Sequence, residues 1–201
     1  MNYRRLLPTL FFVATLATAH AQSMSIGAKG GLSFTRISNA GISGSPSYGF
    51  WARYHAGIFG NFKFAKFTLQ PEVLYSRQGT KDADATGQPR MNLEYVSIPV
   101  LFKWELTNGF NIQAGPQFSV LARAALEVES NGAVASTDLQ DNLHKYDWAI
   151  CTGFGWEAPF GLIVDARYNI PITDLNKLSG VVMHNQVIQL SAGYKLFKFG
   201  K

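Results

Sequence analysis

Eight stretches of this chain alternate apolar and polar side chains with a period of two, and the connections between them alternate short and long. The stretches run over 25–35, 51–63, 67–77, 93–104, 110–122, 144–156, 161–170 and 187–199. Connections 64–66, 105–109 and 157–160 are short; 36–50, 78–92, 123–143 and 171–186 are long and rich in Gly, Ser, Asn and Asp. A period of two is the signature of a β-strand with two unlike faces. An even number of strands with every long connection at one end is the layout of a closed up-and-down barrel. The expected fold is therefore all-β: an eight-stranded antiparallel up-and-down barrel, with four long loops at one end and three short turns at the other.

The two faces decide what surrounds such a barrel. In GLIVDARYNI, Leu162, Val164, Ala166, Tyr168 and Ile170 share one side, and Ile163, Asp165, Arg167 and Asn169 share the other. The same split separates Phe110, Ile112, Ala114, Phe118 and Val120 from Asn111, Gln113, Gln117 and Ser119. Near the C-terminus, Ile188, Leu190, Ala192, Tyr194 and Leu196 stand opposite Gln189, Ser191 and Lys195. A soluble barrel of the lipocalin kind would turn the apolar face inward, a membrane barrel outward. Aromatic placement separates the two. Phe64, Phe67, Trp104, Phe110, Trp156 and Phe199 lie at the short-turn end, and Tyr54, Tyr75, Tyr146, Trp148 and Tyr168 towards the long loops. Two aromatic belts around an aliphatic zone suit a lipid-facing wall with an interface at each edge; a ligand cavity has no reason to sort aromatics by height. The barrel is expected to be transmembrane.

The N-terminus sends it out of the cytoplasm. Residues 1–21 carry Arg4 and Arg5, an apolar stretch from Leu6 to about Thr18, and Ala19-His20-Ala21, a small-x-small cleavage site. This reads as a cleavable signal peptide, too short in its apolar part to span a bilayer as a helix. The barrel domain is then 22–201. Loss of the two signal arginines lowers the formal charge from +5 to +3, too little for a nucleic-acid binder. Cys151 is the only cysteine, so no internal disulfide is expected. The histidines have no metal-ligand spacing, and no cofactor or metal site is expected.

On these parities the inward charged and titratable residues are Lys29, Arg53, His55, Lys63, Glu72, Lys103, Lys145, Asp147, Asp165, Arg167 and Lys195. An eight-stranded barrel is about filled by its own side chains, and charges in so narrow a space need partners to offset several kcal/mol of desolvation per ion. The expected result is a structural ion-pair network made by Lys29, Glu72, Lys103, Asp147, Asp165, Arg167 and Lys195, with Lys103, Lys29 or Arg167 as partners of Glu72. An enzyme would need its site at the loop rim, where His55, His144 and His184 fall with Asp138, Asp141 and Ser136. Ser and Asp are ordinary turn residues, no nucleophile motif accompanies them, and no catalytic residue is assigned. Cys151 reads as a small inward packing residue, and Gly27, Gly30 and Gly31 as room for bulky lumen neighbours such as Phe59.

Proline poses the main difficulty, because it cannot donate to a ladder and is normally kept out of central strands. Pro71, Pro99 and Pro116 all fall inside strand segments. Folding the chain about 78–92 and 105–109 brings the three to similar height on neighbouring strands. The expectation is a band where missing donors and bulges let the wall bend.

The ordered motifs GAKGGLSFT (27–35), HAGIFGNF (55–62), LQPEVLYSRQGT (69–80), YVSIPVLFKW (95–104), IQAGPQFSVL (112–121), ARYNIPITDL (166–175) and LSAGYKLF (190–197) cover nearly the whole chain after residue 21. Together they resemble the PorT-like outer-membrane β-barrel family of Bacteroidetes. The resemblance implies an eight-stranded barrel in the outer membrane of a Gram-negative cell, and little about activity. The expected partners are outer-membrane lipid and, through the long solvated loops, an envelope protein or glycan. A monomeric barrel with periplasmic termini and a non-catalytic role in the envelope is the reading these features favour, ahead of a narrow channel or a rim enzyme.

Overall fold

The computed structural model describes residues 23–40, 50–81, 90–130, 133–174 and 182–200. Residues 1–21, expected to be a signal peptide, lie outside the described residues, as do 41–49, 82–89 and 175–181 of the long connections. Among the described residues nine strands form: β1 (Ser23–Ala40), β2 (Trp51–Phe64), β3 (Phe67–Lys81), β4 (Arg90–Thr107), β5 (Phe110–Ser130), β6 (Ala133–Asp138), β7 (Tyr146–Glu157), β8 (Leu162–Pro171) and β9 (Val182–Gly200). All but β6 join one antiparallel ring, which β1 and β9 close along Ser23↔Gly200 to Ala40↔Val182. An eight-stranded up-and-down barrel results.

The three tight turns follow from local chemistry. Asn108 (φ 49°) and Gly109 (φ 82°) both take positive φ, the two-residue hairpin geometry whose twist matches that of the flanking strands. A Cβ on Gly109 would lie 2.2 Å from the Glu157 carbonyl oxygen, so glycine is required there. Ala65 (φ 52°) and Gly161 (φ 109°) turn the other two.

Burial alternates along the strands as the sequence alternates, and it is the apolar face that is exposed. Ile58, Val73, Phe102, Ile112, Phe154, Val164 and Leu190 all lie open on the outer wall, an apolar surface far beyond what a soluble monomer carries. The aromatic belts lie on the same wall, with Phe67 stacked on Trp104 at the short-turn end (5.9 Å between centroids). At the other end Phe118 packs against Tyr146 and Trp148. Inside, Gly27 meets Phe59: a Cβ there would lie 2.4 Å from its ring.

The prolines interrupt three ladders in a row. Pairing is missing between Phe59↔Glu72 and Phe62↔Leu69, between Pro71↔Val100 and Leu74↔Ser97, and between Pro99↔Gln117 and Phe102↔Ala114. That register brings Pro71, Val100 and Pro116 level on adjacent strands. The expected bulges are not at this band. Register resumes unshifted across each gap, because a missing donor deletes a rung without inserting a residue. The bulges lie instead at Ile26/Gly27, Glu94/Tyr95 and Glu105/Thr107.

The long connection 123–143 differs most from expectation. β5 continues to Ser130 and β6 folds back on it, with Ala125↔Asp138 to Ser130↔Ala133 in register. A short 3-10 turn, Gln140–Asn142, follows. The described part of the stretch is a strand pair and a cap, with Val134 to Asp138 still exposed to solvent.

An arginine in the aliphatic zone of the outer wall costs about 2–4 kcal/mol at mid-membrane. Ile58→Arg, at an outer-wall position paired with Ala28 and Val73 between the two belts, should therefore lower the unfolding free energy by about that amount, read as a shift of the urea midpoint during folding into lipid vesicles.

Candidate functional site in the barrel lumen

Halfway along the lumen four charges from three strands meet. Glu72 of β3 receives Arg167 of β8 in a fork, Nη1 to Oε2 at 2.8 Å and Nη2 to Oε1 at 2.7 Å. Lys29 Nζ of β1 lies 2.7 Å from Asp165 Oδ2 and 3.5 Å from Glu72 Oε1. Arg167 Nε lies 2.9 Å from Asp165 Oδ1, and Gln70 donates a further hydrogen bond to Glu72. All four charged side chains are at most 2% exposed. Two cations and two anions leave the group neutral, the condition under which a buried ionic cluster is tolerable.

A second charged level lies nearer the short turns. Glu157, at the end of β7, takes Lys103 on Oε1 (2.8 Å) and Lys195 on Oε2 (2.6 Å). Lys63 and Glu105 pair at 2.6 Å where both are partly exposed. Beyond them a cavity of about 610 Å³ opens at the short-turn end.

Towards the long connections the lumen is polar but mostly uncharged. His55 is buried, with Nδ1 2.9 Å from Ser33 Oγ and Nε2 2.8 Å from Ser191 Oγ. Ser119 donates to Ser97 at 2.9 Å, and Cys151 Sγ donates to Gln117 Oε1 at 3.3 Å. Above this layer Leu93, Tyr95, Leu121, Ala124 and Leu143 form a buried apolar cluster flanked by Met91 and Leu139. Leu139 and Leu143 come from the segment after β6. Leu139 N donates to Ala124 O (3.1 Å) and Gln140 Nε2 to Ala122 O (2.7 Å), fixing the segment to β5.

The sequence matches the family described as the outer membrane protein beta-barrel domain, over residues 20–177. The chain belongs to this family. No curated protein matches the sequence significantly. The fold is similar to the crystal structure of Neisserial surface protein A, at 12% identity and a TM-score of 0.54, covering 87% of this chain and 99% of that one. It is also similar to Ail, the attachment invasion locus protein of Yersinia pestis, at 14% identity and a TM-score of 0.50, covering 89% and 99%. At such identities the likeness is one of fold.

Within this outer-membrane barrel the charged residues divide differently from the single network expected. Glu72 pairs with Lys29 and Arg167 but not with Lys103, which the ring register carries to Glu157. Lys195 joins Lys103 there. Asp147 enters neither cluster: it lies near the long-connection end, with Oδ1 lacking a hydrogen-bond partner among the described residues. Lys145 precedes β7 and is exposed, so it does not point inward. Arg53 stacks its guanidinium 3.5 Å over the Trp51 ring. Sequence reasoning passed over Glu157, which stands one residue past the assumed end of its strand yet keeps the inward parity of Asp147 and Cys151.

The rim candidates do not converge. His55 lies inside the barrel, both ring nitrogens engaged by serine hydroxyls, so it is not a rim residue. Ser136, Asp138, Asp141 and His144 are exposed on the hairpin and cap. Asp138 Oδ1 accepts from the Gln140 backbone N–H at 2.8 Å, an ordinary turn contact. The side chain of His184 lies outside the described residues.

Removing one partner of a buried ion pair strands the others and costs about 3–5 kcal/mol. Arg167→Met is expected to destabilise the barrel by that much in urea titrations. The double change Glu72→Gln/Arg167→Met deletes one charge of each sign and should cost less than the single change.

Proposed function

We propose that this outer-membrane protein is a closed, non-catalytic barrel with a structural or interaction role in the cell envelope, contacting a protein or glycan partner through its long-connection end. The observation that carries this reading is closure of the lumen at two levels by two chemistries. The Lys29–Glu72–Asp165–Arg167 cluster fills the middle, and the Leu139/Leu143 cap covers one end. A pore would need both to open. The shift of ordered structure to the long-connection end, where β5 and β6 project as a hairpin, places varied polar side chains where a partner could meet them.

We also propose that residues 1–21 are a cleaved signal peptide, that the barrel sits in the membrane as a monomer with both termini in the periplasm, and that it belongs to the PorT-like branch found in Bacteroidetes. The seven ordered motifs from 27–35 to 190–197 support that placement.

Planar-bilayer recordings of the purified protein should show no stable conductance of nanosiemens size; a reproducible open state would favour the channel reading. Orientation is read by cysteine labelling of intact cells with a membrane-impermeant maleimide, Cys151 being buried. Ser136→Cys should label, and Lys66→Cys should label only after the outer membrane is permeabilised. The reverse pattern would invert the proposed topology.

A further inference from the structure

We propose that the short-turn mouth of the barrel binds a phosphate group. The cavity of about 610 Å³ there carries Lys63, Lys103, Lys195 and Lys198 against Glu105 and Glu157. Glu157 is shared between Lys103 and Lys195, and Glu105 serves Lys63. Lys198 Nζ donates to the neutral carbonyl of Pro159 at 3.1 Å. Four cations thus face two anions among the described lining residues, leaving two positive charges uncompensated. The mid-lumen cluster shows what charge serving the fold alone looks like here: two of each sign, fully enclosed. The mouth departs from that rule where the barrel opens to solvent.

Physical chemistry points the excess at an anion. Lys103 forms the floor with its side chain 2% exposed, inside a wall surrounded by lipid, where positive potential is poorly screened. A recess of one sign with low-dielectric walls concentrates ions of the other sign. The chemistry of the donors selects among anions. Among the described lining residues every cation is a lysine, arriving from β2, β4 and β9, and none is an arginine. A guanidinium fork matches carboxylate and phosphate alike, whereas ammonium groups are point charges, and several of them arriving from different directions can each take a separate oxygen of a compact tetrahedral anion. Ser25 and Thr68 add hydroxyl donors to the same wall. The ligand is therefore free phosphate or a small phosphate monoester. Its arrival from the periplasm rests on the topology proposed above; binding itself does not, and inverted labelling would move the site to the other side of the membrane without abolishing it.

The test is calorimetric titration of the full chain, purified in a neutral detergent at low ionic strength, with inorganic phosphate and with glycerol 3-phosphate. Sodium chloride at matched ionic strength is the reference. Saturable phosphate binding is expected, weakened about a hundredfold by Lys195→Gln/Lys198→Gln, since each lost charged contact is worth about a factor of ten. Lys66→Gln, on the neighbouring turn outside the cavity, should leave it unchanged. Glu105→Gln frees Lys63 and should tighten binding, a gain that a misfolded barrel cannot give. Tighter binding of glycerol 3-phosphate identifies a monoester ligand, and tighter binding of inorganic phosphate a free ion. No saturable binding of either, or equal weakening by Lys66→Gln, overturns the proposal.

Discussion

The fork between Arg167 and Glu72 is the contact on which the rest of the lumen depends. It ties β8 to β3 across the barrel, and Lys29 and Asp165 complete its neutrality. Charges this deeply enclosed are tolerated only as a matched set, because each unpaired ion would cost several kcal/mol of lost hydration. The cluster therefore constrains more than its own position: β1, β3 and β8 must hold their register for it to form at all. Such a set acts through specificity as well as stability, since a strand slipped by one residue would turn a charge towards lipid.

From that level the chemistry changes along the axis in both directions. Towards the short turns the lumen stays charged but loses balance and opens to solvent. Towards the long connections it becomes neutral and polar, then apolar under Leu139 and Leu143. An eight-stranded ring has a circumference too small for a water-filled bore, so each level is filled by whatever side chains point in. Differences between levels therefore decide what the protein can do. The outer wall repeats one order on every strand, aliphatic between two aromatic belts, because lipid asks the same of each.

The proline band shows how the wall accommodates this filling. Three adjacent ladders each lose two rungs at one height, without a shift of register. Glu72 lies in that band, beside Pro71. Missing rungs there relax the pairing where the bulkiest charged groups must fit, while the bulges that do shift register sit near the ends of the strands.

Much of this architecture follows from one-dimensional pattern. Period two assigned inward and outward faces, since neighbouring side chains on a strand must point opposite ways. Alternating connection lengths implied the up-and-down ring, and sorted aromatics implied lipid outside. Lys29 and Arg167 were among the partners expected for Glu72, but which of the inward cations would meet it did not follow, because Lys29, Glu72 and Arg167 are separated by 43 and 95 residues, and only ring closure sets which inward residues share a level. That is why Lys103 met Glu157 in place of Glu72, and why Asp147 joined neither cluster. The fate of 123–143 was also hidden: its hairpin is ordered by pairing with β5 and by apolar contact with Leu93 and Tyr95, neither visible in local composition. Sequence alone determined a barrel stave, apolar outward and charged inward; tertiary structure decided which charges cancel and which remain, because cancellation depends on distance across a closed ring.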